Sequence, residues 1–417
     1  MTIFTPTPDA PPREREAWPD IFRGIAIIAV VCIHTSGHML SQLSPCGWSW
    51  CFIATINRLL QFAVPAFLLV SAYLNASSLR NGVSSSESRI SSAKAFVVRR
   101  VQSTLIPYLI ASGIGLLLIT HFHPSSISLR HLCKMLIFGK CYYHLYFMAL
   151  VFQLYVLLPF LVRMMHRSKP LWSVLAVAAA VQLIVYAANR CFLMQQNVAS
   201  SLFWYILPVS LGLWLKFCPE RTRSAFRRHG RTLCLLTATA AMAYLPIAIL
   251  AMVGPVDTFL CQTYNWIFSA AASLLLAVVS MRITDSHLGF WLAAMGRRSL
   301  IIYLAHPFFI VGLDHFAPEI RQSSMWLAFP IYAVMSFAAA AFGANLLSCS
   351  NTWRARVRQS PKVTDNIASA PPRSVNANAS VKSPLPGFVG ERCISSTVSL
   401  QRTADDRNRN LHVNRKR

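Results

Sequence analysis

The sequence contains little charge, and its apolar residues lack the alternating spacing of a soluble core. Only 13% of its 417 residues are charged, whereas 55% are hydrophobic, and the hydrophobic residues lie in long runs. Such runs exclude an ordinary water-soluble domain, and they are too long for the strands of a membrane barrel. The composition is typical of a polytopic membrane protein.

Three further features are missing. The eleven cysteines lack the spacing of a metal site, and no internal repeat relates two halves of the chain, as it does in many transporters. The first apolar run follows a polar lead, carries ionisable groups and has no small-residue cleavage site, so we expect a membrane helix and not a signal peptide. Outer-face disulfides, Cys46 to Cys51 or Cys133 to Cys141, are possible in an oxidising compartment. Free, buried thiols are the alternative, and we favour them.

Ten apolar segments between Ile21 and Ser348 are long enough to cross a bilayer. A hydrocarbon core about 30 Å thick needs a helix of roughly 20 residues, and backbone groups in lipid must be bonded within that helix. We predict an all-α polytopic integral membrane protein with about ten transmembrane helices. Their residues are 21–40, 52–76, 96–121, 144–162, 171–188, 201–217, 233–253, 263–281, 300–316 and 325–347.

The chain divides into three parts by composition. Residues 18–350 form the transmembrane domain. Residues 351–417 are rich in Ser, Asn, Arg and Pro, which predicts a basic, disordered cytoplasmic tail. Residues 1–17 form a short Pro-rich lead of the same kind.

Basic residues are concentrated in every second loop, beginning with the loop after the second predicted helix. Lysine and arginine stay on the cytoplasmic side of short loops, so ten helices place both termini in the cytoplasm of a multi-pass cell-membrane protein. The net charge of +25 follows largely from this topology and from the basic tail. We therefore expect the lipid bilayer as a partner and no nucleic acid.

The first helix carries a stripe of ionisable side chains. In an α-helix Arg23 and His34 fall within about 20° of one face, and Asp20 lies on that side too. Arg23 is then at the cytoplasmic boundary, and His34 is about 16 Å further along the axis, past the middle of the bilayer. A histidine at this depth normally faces a wet cavity and suits proton transfer. A neutral histidine bonded to a neighbouring helix carbonyl is the alternative, and the stripe alone does not separate the two.

Five blocks of sequence form a pattern in chain order. The first is Asp-x-x-Arg-Gly-x-Ala with a histidine eleven residues after the arginine, formed by Asp20, Arg23, Gly24, Ala26 and His34. The others are FAVPAFLLVSAYL at 62–74, RVQSTLIPY at 100–108, HLYFMALVFQLYVLLP at 144–159 and GRRSLIIYLAHP at 296–307. Together these blocks resemble the acyltransferase family 3 membrane proteins over most of residues 18–350.

The sequence departs from the family pattern at four positions. Ala72 stands for a glycine and Tyr146 for a tryptophan, and neither change removes a charge. Ser103 and Gln61 stand where the family often has arginines, which bears on donor affinity. Arg58 and Arg99 are candidates to compensate.

The resemblance implies an O-acyltransferase that moves an acyl group, most often acetyl, from cytoplasmic acyl-CoA to a hydroxyl of a cell-surface polysaccharide, a glycolipid or a smaller acceptor. Acyl-CoA is then a co-substrate, and neither a permanently bound cofactor nor a metal is expected. His34 is the expected general base, with Asp20 pairing with Arg23. Arg23, Arg99 and Arg100 are the expected ligands of the coenzyme A phosphates, which suit the planar fork of arginine. For Arg99 and Arg100, ordinary anchoring at the cytoplasmic boundary is an equally good alternative.

Five more residues are candidates to line the substrate cavity or to stabilise an oxyanion: Arg58, His144, Ser299, Tyr303 and His306. Ser299, Tyr303 and His306 share one helical face. For Tyr303 and His306, polar packing between helices is the alternative.

A secondary transporter or lipid-linked glycan flippase is the main competing function, because it would also have about ten helices and a few buried charges. The absence of related halves and of paired broken helices argues against it. A related class of membrane acetyltransferases begins with a similar Asp-x-x-Arg-Gly run, but the spacing to His34 favours the first family.

Overall fold

The computed structural model describes residues 16–80, 86–120, 127–165, 170–193 and 198–359, and every regular element in these ranges is helical. The α-helices are α1 (Trp18–Leu40), α2 (Trp48–Leu59), α3 (Ala63–Arg80), α4 (Ser86–Ile119), α5 (Leu129–Phe138), α6 (Tyr146–Met164), α7 (Leu171–Ala188), α8 (Ile206–Phe217), α9 (Glu220–Arg228), α10 (Gly230–Val253), α11 (Thr258–Arg282), α12 (His287–Arg297), α13 (Ser299–Phe316), α14 (Pro318–Gln322) and α15 (Met325–Gln359). The predicted all-α fold is confirmed.

Nine helical segments of the described chain are long and apolar enough to cross a membrane, and they match nine of the ten predicted spans. The remaining predicted span, 201–217, contains α8. This helix has 12 residues, and the chain bends by 117° between it and α9. Helix α9 follows Pro219, contains four arginines and buries none of its residues, so its polarity keeps it out of lipid. The protein is therefore a multi-pass membrane protein with nine or ten spans.

Helix α1 lies at the centre of the bundle. It packs against α2, α3, α11, α12, α13 and α15, and Phe22, Ile27 and Val30 are buried in the main hydrophobic core. Because α1 is surrounded by other helices, its polar stripe faces protein and not lipid, which is the usual placement of ionisable side chains at membrane depth.

The short helix α12 makes the closest contact with α1, through two glycines. A Cβ on Gly24 would meet the carbonyl oxygen of Leu292 at 2.1 Å, and a Cβ on Gly296 would meet that of Asp20 at 1.7 Å. Only residues without a side chain allow the two backbones to approach this closely. The contact holds the end of α12, and with it Arg297, against the start of α1.

The turn at residues 141–145 is held by α5, a second short helix that the hydrophobic pattern does not predict. Gly139 ends α5 with a φ of 64°, and a Cβ there would meet the carbonyl oxygen of Leu145 at 2.3 Å. The cysteines on either side of this segment, Cys133 and Cys141, are free thiols, as are Cys46 and Cys51. Of these four, Cys141 is buried, whereas Cys46 and Cys133 are exposed, so the expectation of buried thiols is wrong for those two.

The terminal segments extend beyond the described residues. Helix α15 continues to Gln359, past the predicted end of the transmembrane domain at residue 350. The rest of the predicted disordered tail, 360–417, lies outside the described residues, and so do residues 1–15 of the predicted lead.

Candidate active site

Three histidines from distant parts of the chain meet beside α1. His34 lies on α1, His144 lies in the turn before α6, and His306 lies on α13. The ring centroid of His34 is 5.2 Å from that of His306 and 6.4 Å from that of His144, and the latter two are 5.7 Å apart. We refer to these three residues as the histidine cluster. All three are sequence-predicted candidates, and the fold brings them together.

The two buried members of the histidine cluster have unused nitrogens. His306 is fully buried, and its Nδ1–H donates to the carbonyl oxygen of Ile302 at 3.1 Å, which leaves Nε2 as an acceptor without a partner among the described residues. His144 is also fully buried, and neither of its ring nitrogens makes a hydrogen bond of normal geometry in the described chain. Buried polar atoms without partners are uncommon and frequently mark functional sites.

His144 lies in the turn that precedes the membrane-spanning segment Tyr146–Met164. Burial lowers the pKa of its imidazole to about 3, with a smaller contribution from nearby His34. The ring is therefore neutral at physiological pH and carries one N–H donor and one acceptor. Its backbone is fixed as well, because the hydroxyl of Tyr303 donates to the carbonyl oxygen of His144.

A cavity of about 330 Å³ lies on the Arg23 side of the histidine cluster, and we call it the inner cavity. Arg23, Arg100 and Arg297 line it together with Ser299 and Tyr303. Three arginines around one cavity create a strongly positive environment for an anionic group.

Arg23 is oriented by Asp20, as expected from their spacing. The Arg23 guanidinium donates to the carboxylate of Asp20, which is only 4% exposed. The Nε of Arg23 is buried without a partner in the described chain. One side of the guanidinium is thus held by Asp20, and the Arg23 side chain, which is 23% exposed, also lines the inner cavity.

The structure separates Arg99 from the other predicted phosphate ligands. Arg99 is exposed, and its Nε donates to the carbonyl oxygen of Ala95 at 3.2 Å on its own helix. It is not among the residues that line the inner cavity. Arg297, which is not predicted from the sequence, does line it. Arg297 lies inside the GRRSLIIYLAHP block, so its neighbourhood in the sequence was the available signal.

A second cavity, of about 390 Å³, lies on the other side of the histidine cluster, and we call it the outer cavity. His34 is half-buried and lines it. The remaining polar and aromatic lining residues are His38, Asn57, Tyr142, Tyr143 and Asp314. His38 is one helical turn from His34 and therefore on the same face of α1, but neither it nor Asp314 is predicted from the sequence.

Asn57 links α2 to α1 beside His34. Its side-chain amide donates to the carbonyl oxygen of Ile33 at 3.0 Å and to the hydroxyl of Ser36 at 2.9 Å. Asn57 is buried, so these hydrogen bonds are shielded from competition with water. They fix the turn of α1 that carries His34.

The predicted face of α13 divides between the two cavities. Ser299 and Tyr303 line the inner cavity, and His306 belongs to the histidine cluster. The Tyr303 ring lies 5.3 Å from that of His144 and 6.1 Å from that of His306. Tyr303 therefore stands between the inner cavity and the histidines.

Arg58 lies apart from both cavities. It interacts electrostatically with the Tyr244 hydroxyl and the Cys261 thiol, on α10 and α11. Its Nε is buried and has no partner in the part of the chain that the structure describes. The structure does not bring Arg58 together with His34, His144 and His306.

The site offers acid–base groups and hydrogen-bond donors, and its described residues contain no group of three or more His, Cys, Asp or Glu side chains arranged to hold a metal ion. The arrangement is a histidine cluster with an arginine-lined cavity on one side and a polar, aromatic cavity on the other. It suits proton transfer between an anionic ligand and a hydroxyl-bearing one.

Comparison with known proteins gives one match. The acyltransferase 3 family model, described as an acyltransferase domain, matches residues 16–344, which is more than three-quarters of the chain. No curated protein and no solved structure matches the chain. The matched region contains the histidine cluster and the lining of both cavities.

Proposed function

Since the chain belongs to the acyltransferase 3 family of membrane proteins, we propose that it transfers an acyl group, in the first instance acetyl, from cytoplasmic acyl-CoA to a hydroxyl of a cell-surface polysaccharide, glycolipid or related acceptor. The observation that carries the proposal is the position of His34, in a histidine cluster between an arginine-lined cavity and a polar one. The first suits a polyanionic donor, and the second suits a hydroxyl-bearing acceptor.

The inner cavity is the proposed donor site. Arg23, Arg100 and Arg297 would bind the phosphate groups of coenzyme A, because the guanidinium fork donates parallel hydrogen bonds to phosphate oxygens and stays charged. Asp20 acts as a positioning residue, since its ion pair fixes one side of Arg23. The arm of the donor then extends about 16 Å along α1, the distance between Arg23 and His34, and passes Tyr303.

His34 is the proposed general base. Its imidazole accepts the proton of the acceptor hydroxyl as the hydroxyl oxygen attacks the thioester carbonyl carbon. The tetrahedral intermediate then collapses, the carbon–sulfur bond breaks, and the imidazolium returns the proton to the departing coenzyme A thiolate. General-base catalysis of this kind is typically worth a factor of about 10²–10⁴.

His144 is the proposed donor to the oxyanion that forms during this attack. Its ring is neutral and buried, makes no hydrogen bond of normal geometry in the described chain, and lies 6.4 Å from that of His34. A preorganised N–H in a site shielded from water stabilises developing charge more effectively than a solvated one. The fixed turn at 141–145 supplies this preorganisation.

The decisive experiment measures transfer from labelled acetyl-CoA to glycans and lipids in membranes that contain the wild type or His34→Gln. We expect the variant to lose activity by about 10²–10⁴-fold at equal expression and unchanged thermal stability. His315→Gln is the matched control, because His315 is exposed on the same helix as His306 and lines neither cavity; it should retain full activity.

Two other outcomes would contradict the proposal in different ways. Equal labelling by the wild type and His34→Gln would exclude His34 as the base while keeping acyl transfer. The absence of label with the wild type would exclude the proposed donor or acceptor, and uptake of lipid-linked glycans into vesicles would then test the transporter alternative.

A further inference from the structure

The outer cavity contains a histidine–carboxylate pair that the proposed chemistry does not use. His38 Nε2 lies 3.1 Å from Asp314 Oδ1, although the two residues are 276 positions apart in the sequence. The Tyr332 hydroxyl donates to the same carboxylate oxygen at 2.6 Å, and the Gln42 amide lies 3.0 Å from His38 Nε2. We call His38, Asp314 and Tyr332 the outer triad.

The outer triad is held in place by the packing around Tyr332. Tyr332 is fully buried, and its ring packs 5.4 Å from that of His38. It belongs to a separate hydrophobic cluster with Met39, Ile53 and Ile310, so helices α1, α2, α13 and α15 all contribute to its placement. Two neighbours converge on Oδ1 of Asp314, which fixes the direction of the carboxylate.

The Asp314 carboxylate is both held and reachable. The side chains of His38 and Asp314 are 21% and 23% exposed, and both residues line the outer cavity with His34. Both described hydrogen bonds to the carboxylate use Oδ1, and the partly exposed side chain contributes to the cavity wall, where an acceptor hydroxyl can reach it. A carboxylate accepts strong, charge-assisted hydrogen bonds from hydroxyl groups.

The spacing relates this carboxylate to the reacting centre. His38 is four residues after His34, which corresponds to about 6 Å along α1. Resting on the proposed function, we infer that Asp314, positioned by His38 and Tyr332, binds a second hydroxyl of the acceptor about one helical turn outward from the hydroxyl that reacts at His34. The outer triad thus selects polyhydroxylated acceptors over simple alcohols and determines which hydroxyl is acylated.

The test compares two soluble probes in membranes with saturating labelled acetyl-CoA: methyl β-glucopyranoside, which has several hydroxyls, and cyclohexanol, which has one. The wild type should use the glucoside with the lower KM. Asp314→Asn keeps the shape of the side chain but removes its charge, and it should raise the glucoside KM about 10–100-fold while leaving the cyclohexanol rate and the donor KM unchanged.

Two further variants separate binding from folding. Tyr332→Phe removes one hydrogen bond to Asp314 but keeps the buried ring. It should raise the glucoside KM by a smaller factor than Asp314→Asn does, and it should change the distribution of label among the glucoside hydroxyls. Asp257→Asn is the control, because Asp257 caps α11 away from both cavities and asparagine is an equally good cap.

Each outcome decides the question. An unchanged glucoside KM and unchanged label positions in Asp314→Asn would overturn the role of the outer triad and leave the proposed function intact. If the wild type labels endogenous glycans but neither probe, the label positions on those glycans are compared instead, and identical positions in the wild type and Asp314→Asn would overturn the role. The absence of any transfer by the wild type would overturn both proposals.

Discussion

Arg297 offers the clearest residue-level test of the donor site, because it lines the inner cavity without contributing to the histidine cluster. We expect Arg297→Gln to raise the KM for acetyl-CoA about tenfold with little change in kcat. A hydrogen bond to a charged group contributes about 1.5–3 kcal/mol, and the exposure of Arg297 to solvent reduces this value. Initial rates at varied acetyl-CoA and saturating acceptor measure the effect.

A second arginine controls for the loss of one positive charge. Arg228 is exposed on α9 and lines neither cavity, so Arg228→Gln should leave the acetyl-CoA KM unchanged. If both variants raise that KM equally, the effect comes from overall surface charge, and the assignment of Arg297 to the donor site is wrong.

Where candidate site residues lie on one helix, the sequence predicts which of them share a face. Asp20, Arg23 and His34 share a face of α1, and helical periodicity alone predicts that. The pair of His38 and Asp314 is different, because its members come together only through the packing of α13 and α15 on α1. No local pattern carries that information, and a lone aspartate near a helix end looks like an ordinary polar residue.

At the scale of helices, the contact between α1 and α12 places Arg297 beside Arg23. We expect Gly296→Ala to destabilise the protein by about 1–3 kcal/mol or more, because the added Cβ would lie 1.7 Å from the carbonyl oxygen of Asp20. The displacement of α12 that relieves this clash should also move Arg297 and raise the acetyl-CoA KM. Thermal unfolding in detergent and donor kinetics measure the two effects.

Gly113 on α4 provides the matched control for this substitution. A Cβ at Gly113 would meet no atom within 4 Å, and alanine is a better helix former than glycine by about 1 kcal/mol. Gly113→Ala should therefore be neutral or slightly stabilising. Wild-type stability in Gly296→Ala would show that the two helices separate at little cost, contrary to the packing described here.

Long elements were predictable and short ones were not. Nine spans follow from runs of about 20 apolar residues, since the thickness of the bilayer dictates their length. Helices α5 and α12 have 10 and 11 residues, too few to cross a bilayer, and hydropathy does not distinguish them from loops. Both short helices position residues of the candidate site, so the hydrophobic pattern missed two elements that set its geometry.

For the whole molecule, the two cavities give the proposed reaction a direction across the membrane. Basic residues crowd the loops at the Arg23 end of α1, which predicts that this end faces the cytoplasm, where acyl-CoA is made. The outer cavity then opens toward the opposite face, where surface glycans and lipids lie. His34 lies between the two, so in the proposed reaction one chain receives the donor from inside and acylates an acceptor on the outside.

This arrangement predicts strict sidedness in sealed vesicles. Labelled acetyl-CoA is too polar to cross a bilayer, so transfer should occur in inside-out vesicles, and right-side-out vesicles should label only after they are made permeable. A C-terminal fluorescent protein that matures only in the cytoplasm, compared with a C-terminal alkaline phosphatase that is active only outside, reports the orientation independently. Labelling of intact right-side-out vesicles, with the C-terminus in the cytoplasm, would mean that the donor enters through the outer cavity, and the assignment of the two cavities would then have to be reversed.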